Sequence, residues 1–430
     1  MLFSYQQYIT GNRAVLPYGI KTIEREAFSE CKNLTNIEIP GSVTRIEDNA
    51  FSGCSGLIQI DIPNSVKSIG YGAFWGCSGL TRIDIPNSVT YIQDYAFACC
   101  KNLSEILIPD SVYEIGKNPF LECSNVEKII VSSCNPKFTA KGNCLLTKDG
   151  KRLLVGCKKS IIPNTVNHIE DSAFQACAEL SAIDIPNNVL TIGASAFASC
   201  TKLSSIDIPN STTSIGFAAF RNCSGIRRLS IPDSVKQIHS RAFEDCTGLS
   251  SIVIPNSVTI IGDSAFNGCA GLTKIKLPTG ITRIEDYVFG RCSSLINIEI
   301  PMGVTSIGVC SFGGCSSLEN IVLPGSVTSI GAKAFRKCLR LKKISIPESV
   351  NAIYDVAWGS GGEKEPAFEN VRLNVLELYY KNPSNAETIL SCAGLSGLNE
   401  TTLFTPIGTG YAYNHNSYFK QFKEIRPELE

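Results

Sequence analysis

The apolar positions of this chain recur in a unit of twenty-three residues. In one copy, Leu80-Thr81-Arg82-Ile83-Asp84-Ile85-Pro86, apolar and polar residues alternate as in a short half-buried strand. Pro86 closes that strand, because proline cannot donate to a ladder. Val89 and Ile92 predict a second short extended stretch, and Ala96-Phe97 with Cys100 predicts a single helical or 3₁₀ turn. Proline marks the beat at Pro17, Pro40, Pro63, Pro86 and Pro109, then from Pro163 to Pro347, with every step 23 residues except one of 54. Phenylalanine keeps the same beat from Phe28 to Phe120 and from Phe174 to Phe335, and the next beat falls on Trp358. Cysteine follows each Phe by three residues, from Cys31 to Cys123 and from Cys177 to Cys338.

A unit this small cannot bury its own apolar face, so neighbouring units must stack into one continuous core. The expected fold is a repeat solenoid: an elongated, right-handed, β-rich superhelix with parallel strands on one face, short helical or 3₁₀ turns, a hairpin insertion and terminal caps. Residues 1–12 are expected to cap the N-terminal end, 13–358 to form the solenoid, and 359–430 to supply a last strand and a C-terminal cap. In that last region "VRLNVLELYY" reads as a strand of the same sheet, "ETILSCAGLSGL" as a short helix, and the aromatic-rich end as a closing helix. An aromatic binding patch is the alternative for that end. The long step holds "NCLLTKDGKRLLVGC", a β-hairpin turning at Asp149-Gly150, within an insertion at about 132–160.

The unit I-P-x-S-V-T-x-I-G-x-x-A-F-x-x-C-x-x-L, as in "LTRIDIPNSVTYIQDYAF", resembles the BspA-like leucine-rich-repeat proteins. Ser and Cys columns stand where commoner leucine-rich repeats carry an Asn ladder. The resemblance implies a non-enzymatic surface or secreted protein that binds extracellular-matrix glycoproteins or cells, and brings no residue-level ligand motif with it.

Thirteen of the nineteen cysteines occupy one repeat position, where Cys serves as a small hydrophobe inside a tight turn. Side chains of such a column point the same way, which is wrong for disulfides, and the unit has no second ligand at C-x-x-C or C-x-x-H spacing. Buried structural thiols are therefore expected. Cys134, Cys144 and Cys157 lie in the insertion; a Cys144–Cys157 bridge across the hairpin is the reading for an oxidising compartment, and His168 is the one nearby fourth ligand for a metal. The Ser column from Ser42 to Ser349 is expected to bond turn backbone rather than act as nucleophile, since the three histidines, His168, His239 and His415, form no Ser–His pattern. No catalytic residue, metal site or cofactor is assigned.

Charge narrows the partner. The formal net charge is zero, which argues against nucleic acid, and no apolar run reaches the roughly 18–20 residues of a membrane span. "MLFSYQQYITGNRAVLPYGI" lacks a signal-peptide pattern, so surface or secreted location, implied by resemblance, stands beside a cytoplasmic alternative. The centre x of L-x-x-I-x-I should face outward. That column carries Glu38, Asp61, Asp84, Asp184 and Asp207, with Arg82 in the adjacent column as counter-charge, and the second half of the same face turns basic through Arg228 and Lys274 of the adjacent column and Lys276 of this one. These nine residues are the ligand-binding candidates. The expected function is recognition of a protein or glycan ligand in adhesion, with an intracellular interaction scaffold or sensor as the alternative.

Overall fold

A computed structural model describes residues 5–354 and 365–429. Trp358 and most of the Gly-rich link after it fall outside those residues. The chain divides into two compact units, 1–211 and 212–430, and each is a stack of coils whose strands pair in parallel, with little helix.

In the first unit the V-T-x-I segments make one sheet of two-residue strands, Thr22–Ile23, Arg45–Ile46, Ser68–Ile69, Tyr91–Ile92 and Glu114–Ile115, each in register with the same position of the next coil. The L-x-x-I-x-I segments make the other face, with Arg13–Val15 parallel to Asn36–Glu38 and Glu105–Ile108 parallel to Lys128–Val131. Ile37 is buried between exposed Asn36 and Glu38, so the alternation read from the sequence sets the inward and outward faces. At the N-terminal end Tyr5 lies edge-on to Phe28, with ring centroids 5.4 Å apart, and covers the first ring of the Phe column.

The insertion is a three-stranded antiparallel meander, Phe138–Lys141, Cys144–Thr147 and Arg152–Val155. The hairpin at Asp149-Gly150 is as the sequence implied; the strand before it is additional. Its signal is Gly142-Asn143, both at positive φ, the pair that suits a tight hairpin turn. Arg152–Val155 then pairs in parallel with His168–Ile169, a strand of the V-T-x-I series, so the meander begins a new sheet of that series. Gly156 N donates to Ala173 O at 2.8 Å, the bond that a Phe N–H makes at this position of the regular coils. No side chain fits there, because a Cβ on Gly156 would sit 1.9 Å from the ring of Phe174.

The second unit repeats the plan. Its V-T-x-I strands include Ser214–Ile215, Gln237–Ile238 and Ile260–Ile261, and further on Arg283–Ile284 through Ala352–Ile353. On the other face Asn320–Val322, Lys343–Ile346, Val375–Leu378, Thr402–Pro406 and Glu424–Leu429 pair in parallel. "VRLNVLELYY" thus supplies a strand of this sheet, and Phe368 stacks on Phe335 at 5.1 Å. Helix Pro383–Leu390 starts at Asn382, whose side chain accepts from Ser384 N. The closing element is the strand Glu424–Leu429 rather than a helix; the short helix Gly410–His415 precedes it.

Two devices hold the coils together. Phe rings stack face to face between coils, from Phe28–Phe51 at 5.2 Å to Phe312–Phe335 at 5.4 Å, all fully buried. The column thiols do more than fill space: Cys54 Sγ donates to Phe28 O at 3.1 Å, and the same bond recurs to Cys338 with Phe312 O at 3.2 Å. Serine forms a second rung, as expected, with Ser88 Oγ donating to Val66 O at 2.6 Å and Ser349 Oγ to Val327 O at 2.7 Å. The A-F-x-x-C segment is a run of tight turns, with left-handed residues two before and two after the Phe. Glycine fills some of these, such as Gly53 and Gly314, but Tyr95, Arg291 and Lys337 adopt φ of 57°, 58° and 57°. An L-residue there is strained by roughly 1–2 kcal/mol.

Two outcomes follow. Lys337, exposed and without a side-chain partner among the described residues, should tolerate glycine: Lys337→Gly is expected to stabilise by up to about 1 kcal/mol and Lys337→Val to destabilise, read by chemical denaturation. Burial raises the thiols of Cys246, Cys269, Cys292 and Cys315 well above the ordinary value of 9.0, so the folded chain keeps protons that the unfolded chain releases. Stability should hold below pH 9 and fall progressively above it, measured by denaturant titration from pH 7 to 11.

Candidate functional site

The outward column carries the candidates. In the first unit Glu38 is ion-paired with Arg13, Arg82 Nε lies 2.8 Å from Asp84 Oδ1, and Gln59 Nε2 donates to Asp61 Oδ1 at 3.1 Å. The stacked carboxylates at Glu38, Asp61 and Asp84 are therefore largely answered within the chain, by Arg13 as well as the expected Arg82. Asp184 and Asp207 are exposed and form no ion pair among the described residues.

These carboxylates also shape the backbone. Among the described residues no regular strand forms at 59–61, 82–84 or 182–184, the coils of Asp61, Asp84 and Asp184. Where the outward residue is Leu107 or Ile130, the ladder runs over four residues. Asp is a poor strand former, and like charges on adjacent rungs repel. Glu38 and Asp207 keep their strands, Asn36–Glu38 and Ser205–Asp207. The acidic stretch of the face is a loosened sheet.

The second unit differs. Arg228, Lys274 and Lys276 form no ion pair among the described residues. They line a shallow groove of about 1150 Å³ running along the face from Arg228 to Met302. Its floor is apolar: Val253 is 63% exposed and Met302 77%, with Ile296 also open. Ser251–Val253 pairs in register with Lys274–Lys276, which sets Val253 directly beside Lys276. Glu299 is the carboxylate of this groove, one coil beyond Lys276. Large open valines on a sheet face were within reach of sequence reading, because the outward column spells Val253 and Val322 where other coils carry polar residues; Met302, just past its Pro, carries no such signal.

The remaining candidates are structural. Tyr413, Phe419 and Phe422 are buried, and Tyr413 OH donates to Tyr380 O at 2.7 Å, so they pack the C-terminal region rather than form an exposed aromatic patch. All nineteen cysteines are free thiols, and Cys144 and Cys157 donate to separate carbonyls, those of Gly142 and Asn143. Burial pushes the Cys144 thiol up to about 12. Among the described residues no three His, Cys, Asp or Glu side chains gather as metal ligands, and no helix is long and apolar enough to cross a membrane. His168 Nδ1 is hydrogen-bonded to Thr191 Oγ1 at 2.8 Å.

Comparison with known proteins points the same way. The model of the BspA type leucine-rich repeat region matches residues 4–140, 154–270 and 236–360 in six copies. A leucine-rich repeat protein from Eubacterium ventriosum is similar at 28% identity over 70% of this chain and 82% of its own, with a TM-score of 0.64. One from Bacteroides ovatus is 29% identical over 89% and 91%, with a TM-score of 0.55. A leucine-rich cell surface protein from Faecalibacterium prausnitzii is 28% identical over 84% and 90%, with a TM-score of 0.51. No curated protein matches the chain significantly.

The loosened coils make a test. Asp61→Thr should restore strand pairing and stabilise by about 0.5–1 kcal/mol, measured by thermal and chemical unfolding; a loss of stability would show that Asp61 is needed by the fold.

Proposed function

The chain belongs to the BspA-type leucine-rich-repeat family, and from that premise we propose that it is a non-enzymatic recognition scaffold whose ligand is a protein carrying an acidic, partly apolar surface. The observation that carries this reading is the groove in which unpaired Arg228, Lys274 and Lys276 surround exposed Val253 and Met302. Unpaired cations steer an acidic partner, and apolar surface beside them supplies the short-range gain once water leaves. A protein is favoured over a glycan here because the open floor of the groove is aliphatic, Val253, Ile296 and Met302, which suits apolar side chains better than sugar hydroxyls. Adhesion to matrix glycoproteins or host cells is the setting we propose, with location at the surface or outside the cell. Support comes from the cell-surface description of the similar Faecalibacterium protein. The alternative, an intracellular interaction scaffold, draws on the nineteen free thiols.

The test is binding to a panel of matrix glycoproteins. Arg228→Glu, Lys274→Glu and Lys276→Glu combined should weaken binding at least tenfold, as should raising the salt. Alanine at Glu38, Asp61 and Asp84 should leave it unchanged. Binding lost only in the acidic variant would move the site to the first unit, and binding to no member of the panel would favour the intracellular scaffold.

A further inference from the structure

The insertion breaks the repeat and in doing so builds a pocket. The hairpin tip, Asp149 with Lys151, faces the polar turns of the coils that follow it and encloses a recess of about 530 Å³. Asn164, Asn167, Asn187 and Asn188 line it, with Thr165 and Ser211. The recess lies wholly within the first unit, away from the groove already described.

The lining is chemically particular. Asp149 and Lys151 cancel in charge, and the rest is amide and hydroxyl apart from Leu190, which is 42% exposed. The tip is held still: Thr165 Oγ1 donates to Gly150 O at 2.9 Å, and Asp149 Oδ1 accepts from Thr147 Oγ1 at 2.6 Å and from Lys151 N at 3.0 Å. Several polar groups stay uncommitted. The Asn187 amide makes no hydrogen bond among the described residues. Asn188 uses its Nδ2 on Asn164 O, which leaves Oδ1. Asn167 Oδ1 is buried without a partner, the kind of acceptor that needs an explanation.

We propose that this recess binds a neutral saccharide, one or two pyranose units of a glycan. The amides can donate to and accept from sugar hydroxyls, the Asp149 carboxylate can accept from them, and vicinal hydroxyls match the two ends of an amide. Leu190 offers an apolar patch for the C–H face of the ring. The balanced charge of Asp149 and Lys151 argues against an acidic sugar. The recess is open and contains no aromatic platform, so affinity should be modest, with Kd about 1 mM for a single sugar.

The experiment is saturation-transfer NMR of the whole chain with neutral mono- and oligosaccharides (mannose, galactose, glucose and N-acetylglucosamine series), alongside sialic acid and a uronic acid. Asn187 and Asn188 are exposed, so Asn187→Ala and Asn188→Ala should fold; circular dichroism checks this. The expected result is saturable transfer from a neutral sugar, weakened at least fivefold by either variant and unchanged by Lys276→Glu. Lack of saturation by any neutral sugar would overturn the proposal. So would transfer unaffected by both Asn variants, or binding confined to the acidic sugars and lost in Lys151→Ala. Loss of glycoprotein binding in the Lys276→Glu variant with sugar transfer intact would keep the two sites separate.

Discussion

Everything in this structure depends on backbone groups that are buried in the stack and find partners only in the neighbouring coil. The turn around each Phe is inside the stack, so its N–H groups must reach carbonyls one repeat ahead: Phe28 N to Ala50 O at 2.7 Å, Glu30 N to Ser52 O at 2.6 Å. The Phe carbonyl in turn receives the thiol of the cysteine twenty-six residues on, in the next coil. That carbonyl already accepts the N–H of the cysteine in its own coil, as Cys31 N donates to Phe28 O at 3.1 Å, so the thiol of the next coil adds a second, weak donor to the remaining lone pair. Alanine would remove that bond between coils and leave the carbonyl with its backbone partner alone. The constant repeat length follows, because an added or missing residue would move every one of these partners out of reach.

That rigidity constrains where function can sit. Turn positions are committed to coil-to-coil bonding, and the Ser and Cys columns are used up by it. What remains free is the outward column of the sheet face, together with any place where the repeat is broken. In the first half of that column Arg13 pairs with Glu38 and Arg82 with Asp84, while Asp184 and Asp207 stay exposed without ion pairs among the described residues. The second half leaves Lys274, Lys276 and Arg228 without ion pairs among the described residues, beside open valine and methionine, with Glu299 the one carboxylate of the groove's lining. Exposed cations carry little desolvation cost until a partner arrives, so such a face can stay unpaired in the free protein and still steer an acidic ligand.

The break in the repeat is the other free place. Gly156 keeps the backbone register of a coil while giving up its Phe, so the meander can leave the stack without exposing the core. The hairpin tip then hangs beside ordinary turns and converts a polar surface into a walled recess. The insertion is bonded to the coil that follows it along Arg152–Val155 and at the hairpin tip, through Thr165 with Gly150.

Much of this was legible in the chain. The twenty-three-residue beat determined the coil, its strand positions, the inward Phe, Leu and Ile and the Ser rungs, because each is a local pattern repeated until it cannot be accidental; the hairpin at Asp149-Gly150 was legible from a tight-turn pair between two apolar runs. Four things needed the tertiary structure. The thiol-to-carbonyl bond joins residues twenty-six apart whose geometry no pattern of residue types specifies. The left-handed backbone at Tyr95, Arg291 and Lys337 is imposed by stacking on residues that do not favour it, and only the scattered glycines at equivalent positions hint at it. Arg13 became the partner of Glu38 because strands pair one coil apart. The groove and the recess exist only when side chains from coils 23 residues apart share one surface. Sequence period decides which residues stack; which of them are left unpaired is decided by long side chains reaching across coils, and that is a property of the folded surface.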